Sequence, residues 1–272
     1  NNFFYTNPLA ASVDYSYHLR WEGGRQPYIK LSNCCPPNAV RTMAEVSDYM
    51  YSLSNDGLYV NMYGGNILTT KLRNGNAVKL EQQTDYPWDG HITINIKETA
   101  SKEFAIYLRI PDWCNQYVWK VNGVTQGKNL KDNTGYVRVQ RSWKAGDKIE
   151  LVLNMPATLI ESNPLVEETR NQVTVKRGPV VYCLESPDIK ENVFDIAIPA
   201  TIKFSPQSMT IDKGRVMSLV GEARLLPKND WNDVLYKQVD PTTQPVRIKL
   251  IPYYAWANRG KSDMTVWMPL IR

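Results

Sequence analysis

The chain has 272 residues, enough for one large domain or two modest ones with proper cores, and we expect two. Its net charge of +5 is small for this length, and the Lys and Arg residues are scattered, so a nucleic-acid-binding surface is excluded. No apolar run approaches the roughly 18 residues that cross a bilayer, so a membrane-spanning helix is excluded too.

The chain start and the cysteines leave the cellular compartment open. The first residue is Asn1, with no initiator Met and no signal-peptide pattern, so we expect the chain to begin inside a longer protein or after processing. Four cysteines, two of them adjacent, do not form a disulfide scaffold in a chain of this size. The sequence is consistent with a secreted or periplasmic location and with a cytoplasmic one.

The most chemically suggestive residues are Cys34 and Cys35, which follow a loop-like segment of 33 residues. Pro36 and Pro37 suit the first turn of a helix, so both thiols are predicted at a helix N-terminus, where the positive end of the helix dipole favours a thiolate. Three interpretations stay open: half of a metal site, an activated nucleophile, or two small buried hydrophobic residues. A redox pair is disfavoured because the Cys-x-x-Cys spacing is absent.

The segment from Asn38 to Leu53 is predicted to be an amphipathic helix, because its apolar residues recur at spacings of three and four. The helix is expected to end before the turn signal Asn55-Asp56-Gly57. The apolar positions are Ala39, Val40, Met43, Val46, Met50 and Leu53.

After this turn, short runs rich in Val, Ile, Tyr and Trp alternate with turn residues, which predicts antiparallel β-sandwiches. His91–Lys97 carries Ile at every second position and should bury one face. Cys114 and Cys183 lie among the strands and are predicted to be core residues. The clearest predicted strands are Leu58–Tyr63, His91–Lys97, Phe104–Ile110, Tyr117–Val121, Tyr136–Val139, Lys148–Leu153, Gln172–Lys176, Val180–Leu184, Thr201–Phe204, Val246–Pro252 and Thr265–Met268.

Four sequence motifs are more specific than this general alternation of strands and turns. They lie at Phe3–Leu9, Cys34–Asn38, Arg177–Glu185 and Leu250–Gly260. In this order and spacing the chain resembles the carboxy-terminal portion of glycoside hydrolase family 127, the β-L-arabinofuranosidase family. The resemblance spans nearly all of the chain. It implies a mainly β fold: two antiparallel sandwiches preceded by the last helix of an (α/α)6-barrel catalytic domain that is otherwise absent.

The resemblance also implies the domain bounds. Residues 1–54 would be the remnant of the helical barrel, residues 55–155 the first sandwich and residues 156–258 the second. A boundary near Met155-Pro156 also follows from the sequence, because a predicted strand ends there at a proline. The family architecture suggests that residues 259–272 return to complete the first sandwich.

The implied activity is that of a retaining glycosidase with a zinc-bound cysteine nucleophile. Cys34 would be the nucleophile and a zinc ligand, and Cys35 would be a second zinc ligand. The family takes its other zinc ligands and its acid/base Glu from upstream, and before Cys34 the present chain has only Asp14 and Glu22 as acids and no cysteine. The chain is therefore expected to be inactive alone and to need the amino-terminal barrel as its partner.

Two residues before the cysteines are candidate substrate contacts. His18 could hydrogen-bond a carbohydrate substrate and Trp21 could stack on a sugar ring, although a lone His is more often structural and an aromatic ring is as often core. The alternative for the whole chain is a non-catalytic β-sandwich protein, either a carbohydrate-binding module or a scaffold. Zinc binding separates the two, because a relic cysteine pair should bind zinc weakly or not at all.

Overall fold

The computed structural model describes Phe4, residues 6–14, Arg25 and residues 34–100, 102–128, 131–227 and 234–272. The chain divides into two compact units. The middle unit holds residues 31–156, and the terminal unit holds residues 1–30 together with residues 157–272. In the described ranges no helix is long and apolar enough to cross a membrane.

The middle unit contains the one α-helix of the described residues and ten β-strands. Their bounds are α1 (Cys35–Tyr49), β2 (Tyr51–Leu53), β3 (Gly57–Val60), β4 (Asn66–Lys71), β5 (Ala77–Thr84), β6 (His91–Thr99), β7 (Glu103–Arg109), β8 (Tyr117–Val121), β9 (Val124–Lys128), β10 (Tyr136–Ser142) and β11 (Lys148–Leu153); the terminal unit supplies β1 (Ala10–Ala11).

The middle unit is a sandwich of two sheets around one core. One sheet has the strand order β10-β7-β3-β2, and the other has the order β4-β5-β6-β11-β8-β9. Side chains from both sheets, such as Leu58 of β3 and Leu151 of β11, belong to the same buried cluster. On β6, Ile92, Ile94 and Ile96 are at most 1% exposed, so the predicted burial of one face is confirmed.

One pairing in this sandwich is parallel, between β3 and β7. It depends on Gly57, because a Cβ atom there would lie 2.0 Å from the Ala105 carbonyl oxygen. Only glycine therefore lets the two backbones come this close.

The terminal unit contains β1 and nine further strands. Their bounds are β12 (Ala157–Ile160), β13 (Gln172–Arg177), β14 (Val180–Glu185), β15 (Ile196–Pro199), β16 (Ser205–Ile211), β17 (Gly214–Leu225), β18 (Gln244–Pro252), β19 (Met264–Thr265) and β20 (Met268–Ile271).

All ten strands of the terminal unit belong to one sheet, with the order β1-β19-β14-β18-β17-β15-β20-β13-β12 and β16 attached to β17. Because β13 also pairs with β14, the path from β14 through β18, β17, β15 and β20 to β13 closes on itself. The pairings are antiparallel except that between β15 and β20. The predicted mainly β fold is confirmed, and in this unit it takes the form of a closed sheet.

The end of the chain corrects one expectation. Residues 259–272 do not complete the first sandwich: β19 pairs with β14 and β1, and β20 pairs with β13 and β15, all in the terminal unit. The physical reason is burial, since Met264 and Met268 are fully buried in the terminal unit. The strand predicted at Thr265–Met268 is in fact these two short strands.

A second correction concerns the strand predicted at Thr201–Phe204, which is a turn followed by irregular chain. Its alternating apolar residues have another purpose. A Cβ atom on Gly221 of β17 would lie 3.0 Å from the Phe204 ring and 3.2 Å from Ile202, so these two side chains cover a glycine of the sheet. The alternation therefore reflects packing onto a strand.

Helix α1 begins at Cys35, three residues before the predicted start, and ends at Tyr49. None of its residues is buried, and Met43 of the apolar face is 68% exposed. The predicted amphipathic pattern therefore exists, but its apolar face is open in the present chain.

Candidate active site at the start of helix α1

The two adjacent cysteines lie where the sequence predicts them, at the N-terminus of α1. Cys34 is the N-cap residue and Cys35 is the first residue of the helix. Both are exposed, which is against the interpretation that they are small buried hydrophobic residues. Their sulfur atoms are 3.2 Å apart, much farther than the roughly 2.05 Å of a disulfide bond.

The prolines reduce what this helix start can offer an anion. Pro36 and Pro37 have no backbone N–H, so two of the donors that a first helical turn normally presents are missing. The dipole argument is therefore weaker here than at a helix start without prolines.

Asn38 fixes the backbone at Cys34 by a double contact. Its backbone N–H and its side-chain Nδ2 both donate to the Cys34 carbonyl oxygen, at 3.1 and 2.9 Å. Its Oδ1 accepts a hydrogen bond from the Arg41 guanidinium, one helical turn further along. Sequence reasoning missed this role, because an Asn in the first turn gives no signal that distinguishes it from a simple helix residue.

The cysteine pair fits half of a zinc site. Thiolates are preferred zinc ligands, and the tetrahedral site needs four donors. Within the described part of the chain, no group of three or more His, Cys, Asp and Glu side chains could hold a metal. The donor chemistry is right for zinc, and the donor number is two short.

The two predicted substrate contacts, His18 and Trp21, lie outside the described residues. The remaining cysteines, Cys114 and Cys183, are buried, as predicted for core residues, and burial raises the pKa of each thiol. Both are thus held as thiols, which leaves Cys34 and Cys35 as the cysteines that could act as nucleophile or ligand.

Sequence reasoning also missed a buried ionic cluster in the terminal unit. Glu185, at the end of β14, is fully buried and accepts hydrogen bonds from the Ala257 backbone N–H, at 2.7 Å, and from the Ser262 hydroxyl. The Arg259 guanidinium donates to Glu185 and to both oxygens of Asp188. Glu185 is the last residue of β14, Asp188 lies in the short helical turn that follows, and Arg259 is 71 residues beyond Asp188, so no local pattern connects them.

Comparison with known proteins follows the same division of the chain. The family model described as "Beta-L-arabinofuranosidase, GH127 middle domain" matches residues 57–155. The model described as "Glycoside hydrolase family 127 C-terminal domain" matches residues 157–269.

Individual relatives agree. The chain is 28% identical, over 97% of its length, to 41% of a protein named "Non-reducing end beta-L-arabinofuranosidase" from Bifidobacterium longum subsp. longum. A solved structure titled "Glycoside hydrolase" covers the whole chain with 48% identity and a TM-score of 0.93, and the chain covers 45% of it.

A second solved structure is a GH127 β-L-arabinofuranosidase from Geobacillus stearothermophilus T6, with 34% identity and a TM-score of 0.90 over 99% of the chain. The chain covers 43% of that structure and so spans less than half the length of each of these relatives. Two family models and a shared fold along the whole described chain lead to one conclusion: the chain belongs to glycoside hydrolase family 127, as its middle and C-terminal domains.

Proposed function

We propose that the chain is part of a retaining glycoside hydrolase that acts on L-arabinofuranosides or related plant-type glycans, with Cys34 as its nucleophile. The observation that carries the proposal is the exposed Cys34–Cys35 pair at the start of α1, in a chain of this family. The sugar class rests on the relatives that are named β-L-arabinofuranosidases.

The chemistry requires a nucleophile and a proton donor. The Cys34 thiolate attacks the anomeric carbon, a carbon–sulfur bond forms, and the departing glycosidic oxygen takes a proton from a carboxylic acid. The resulting carboxylate then takes a proton from water, whose oxygen displaces the Cys34 thiolate. Two displacements at one carbon retain its configuration. We infer that this carboxyl group belongs to protein outside the present chain.

Cys34 and Cys35 would both hold a zinc ion. When bound, zinc keeps its cysteine ligands deprotonated near neutral pH. The support for this proposal is the donor chemistry, since two exposed cysteine side chains lie next to each other and their sulfur atoms are 3.2 Å apart. The two remaining ligands would come from protein outside this chain.

The exposed helix supports a need for further protein. Val40 and Met43 are 63% and 68% exposed on the same α1 that carries the cysteines. A helix with an open apolar face gains stability when another element covers it. We infer that the helical catalytic barrel covers it and completes the site, and that the present chain alone is inactive.

The test uses the protein as its natural source makes it. Cys34→Ser is expected to reduce kcat on a β-L-arabinofuranoside on the order of a thousandfold or more, because the nucleophile is removed. An activated arabinofuranoside is expected to leave a pentosyl adduct, and peptide mass spectrometry should place it on Cys34. Glu45→Ala, on the side of the same helix opposite Val40 and Met43, is the matched control and should leave kcat unchanged.

Three results would decide against the proposal. Full activity in Cys34→Ser, or an adduct on Cys35 instead, would remove Cys34 from the nucleophile's role. An intact mass equal to the 31.2 kDa of this chain, without bound zinc or hydrolysis, would favour the alternative of a carbohydrate-binding or scaffold protein.

A further inference from the structure

The terminal unit contains a cleft of about 420 Å³. It lies between β1, the start of β13, the β19–β20 turn and the short helical turn around Phe194. Its volume falls within the roughly 300–1,000 Å³ that is typical of small-molecule sites.

The cleft is lined by buried residues and by two aromatic side chains. Val193 and Thr265 line the cleft, and they are 1% and 5% exposed. Two aromatic residues line it: Phe194, which is 41% exposed, and the half-buried Trp267. The Thr265 hydroxyl donates to the Trp267 carbonyl oxygen at 2.7 Å, which fixes the turn that carries the indole.

Three polar side chains that line the cleft have no protein partner among the residues that the structure describes. Among the described residues, nothing hydrogen-bonds or pairs with the Glu168 carboxylate, the Gln172 side-chain amide or the Trp267 indole N–H. The neighbouring Thr169 hydroxyl, in contrast, bonds to Ser162. The side chains that line the cleft therefore include an acceptor, an amide that donates and accepts, and an indole donor.

This combination suits a sugar ring. The C–H face of a sugar is apolar and packs on an aromatic ring, and its hydroxyl groups both donate and accept hydrogen bonds, which matches the polar groups of Gln172 and Glu168. The carboxylate of Glu168 disfavours an anionic ligand, because like charges repel. A neutral sugar fits better than a phosphate or a uronic acid.

We propose that this cleft binds a neutral sugar ring of a glycan, through Trp267 and Phe194 for the ring face and through Gln172 and Glu168 for the hydroxyl groups. The choice of an L-arabinose-containing glycan as the ligand rests on the proposed function. The terminal unit would thus contribute substrate capture in addition to its structural role.

The experiment titrates the ¹⁵N-labelled chain with L-arabinose-containing oligosaccharides from plant arabinan. The Trp267 indole N–H signal, assigned by its loss in Trp267→Phe, is expected to shift with saturation. Gln172→Ala and Glu168→Ala are expected to raise Kd at least tenfold. Tyr236→Ala is the matched control, since this tyrosine of the same unit is 91% exposed and does not line the cleft.

Each outcome has a defined meaning. No shift of the Trp267 signal, or the same Kd in Gln172→Ala, Glu168→Ala and the unsubstituted chain, overturns the inference. Gln172 and Glu168 lie at the surface of the cleft, so these variants keep the test valid if Trp267→Phe is unstable. Cys34→Ala is expected to bind the oligosaccharides like the unsubstituted chain. Binding in the cleft without a Cys34 adduct in the enzyme would count against the proposed nucleophile alone. A Cys34 adduct without binding in the cleft would count against the cleft alone.

Discussion

Asn38 holds the turn on which the proposed nucleophile stands. Its side chain donates to the Cys34 carbonyl oxygen and accepts from Arg41, so the backbone at Cys34 is tied to the first two turns of α1. A nucleophile that is misplaced by a fraction of an ångström loses much of its rate, because the reacting atoms must meet in a narrow geometry.

We therefore expect Asn38→Asp, tested in the active enzyme, to lower kcat about tenfold with little change in KM. The substitution keeps an acceptor for Arg41 but replaces the donor to Cys34 with a second acceptor. Asn38→Gln keeps both groups on a longer side chain and should be less affected. The measurement is the kcat and KM of both variants from steady-state kinetics, together with their melting temperatures. A change in KM alone, or a fall in kcat that follows melting temperature, would show that Asn38 has only a structural role.

The sequence alone predicts which residues form the candidate site, but it does not predict the contacts that hold them in place. Cys34, Cys35 and the prolines are adjacent, so their common place at a helix start follows from local rules. The contact between Asn38 and Cys34 depends on a rotamer, and the ion pair of Glu185 with Arg259 depends on the closed sheet. Neither is encoded in any local spacing.

Neighbouring strands of the middle unit are tied together by an acid at the start of β3. Asp56 accepts hydrogen bonds from Ser54, from the Tyr107 hydroxyl on β7 at 2.7 Å, and from Arg138 on β10 at 3.2 Å. These donors lower the pKa of Asp56 to about 2, with Ser54 and Tyr107 as the largest causes. Because β3, β7 and β10 are consecutive in one sheet, the carboxylate joins three strands.

The lowered pKa predicts a pH dependence of stability. The unfolded-state pKa of Asp is about 3.9, so the contribution of Asp56 is fully present above that pH and is lost as the pH falls towards 2. Asp56 is about half exposed, so solvent screening limits the effect to about 1 kcal/mol. The free energy of unfolding in urea should be measured between pH 5 and pH 2 for the unsubstituted chain and for Asp56→Asn. It should fall less in Asp56→Asn than in the unsubstituted chain. Equal losses would contradict the prediction, and Asp48→Asn on α1 is the control.

Strand prediction succeeded where a strand has one buried and one open face. Tyr117–Val121 and Lys148–Leu153 have the predicted bounds because their alternation is regular. The longest strand, Gly214–Leu225, was missed because Gly221 interrupts its pattern while Ile202 and Phe204, which pack on that glycine, imitate a strand. Side chains that cover a sheet thus produce the same signal as the sheet itself.

In the terminal unit, three of the four sequence motifs that resemble the family are in contact. Within Arg177–Glu185 and Leu250–Gly260, the strands β14 and β18 pair directly, Tyr182 with Pro252. The first motif joins them, because the Phe4 ring stacks on Trp256 with centroids 4.4 Å apart and the Tyr253 hydroxyl donates to the Pro8 carbonyl oxygen. Segments 245 residues apart along the chain are thus held together, which sequence spacing alone could not predict.

The Arg259 cluster is expected to stabilise this assembly strongly. Arg259→Met leaves Glu185 and Asp188, which are 0% and 4% exposed, as buried charges without their guanidinium partner. Breaking such a pair costs about 3–5 kcal/mol, because the remaining charges keep their desolvation penalty. Lys249→Met is the matched control: this Lys is 41% exposed and 3.7 Å from Asp188, so its loss should cost at most about 1 kcal/mol.

Hydrogen exchange of the β14 and β18 amides, read together with urea unfolding, measures both variants in the unit concerned. Adding Glu185→Gln to Arg259→Met should restore part of the lost stability, since it removes the fully buried charge of Glu185, whereas Asp188 keeps Lys249 at 3.7 Å. If Arg259→Met and Lys249→Met lower the free energy of unfolding equally, or if Glu185→Gln restores none of it, the charges of the cluster do not hold the three motifs together. Packing of Phe4, Trp256 and the closed sheet would then account for the stability of the terminal unit.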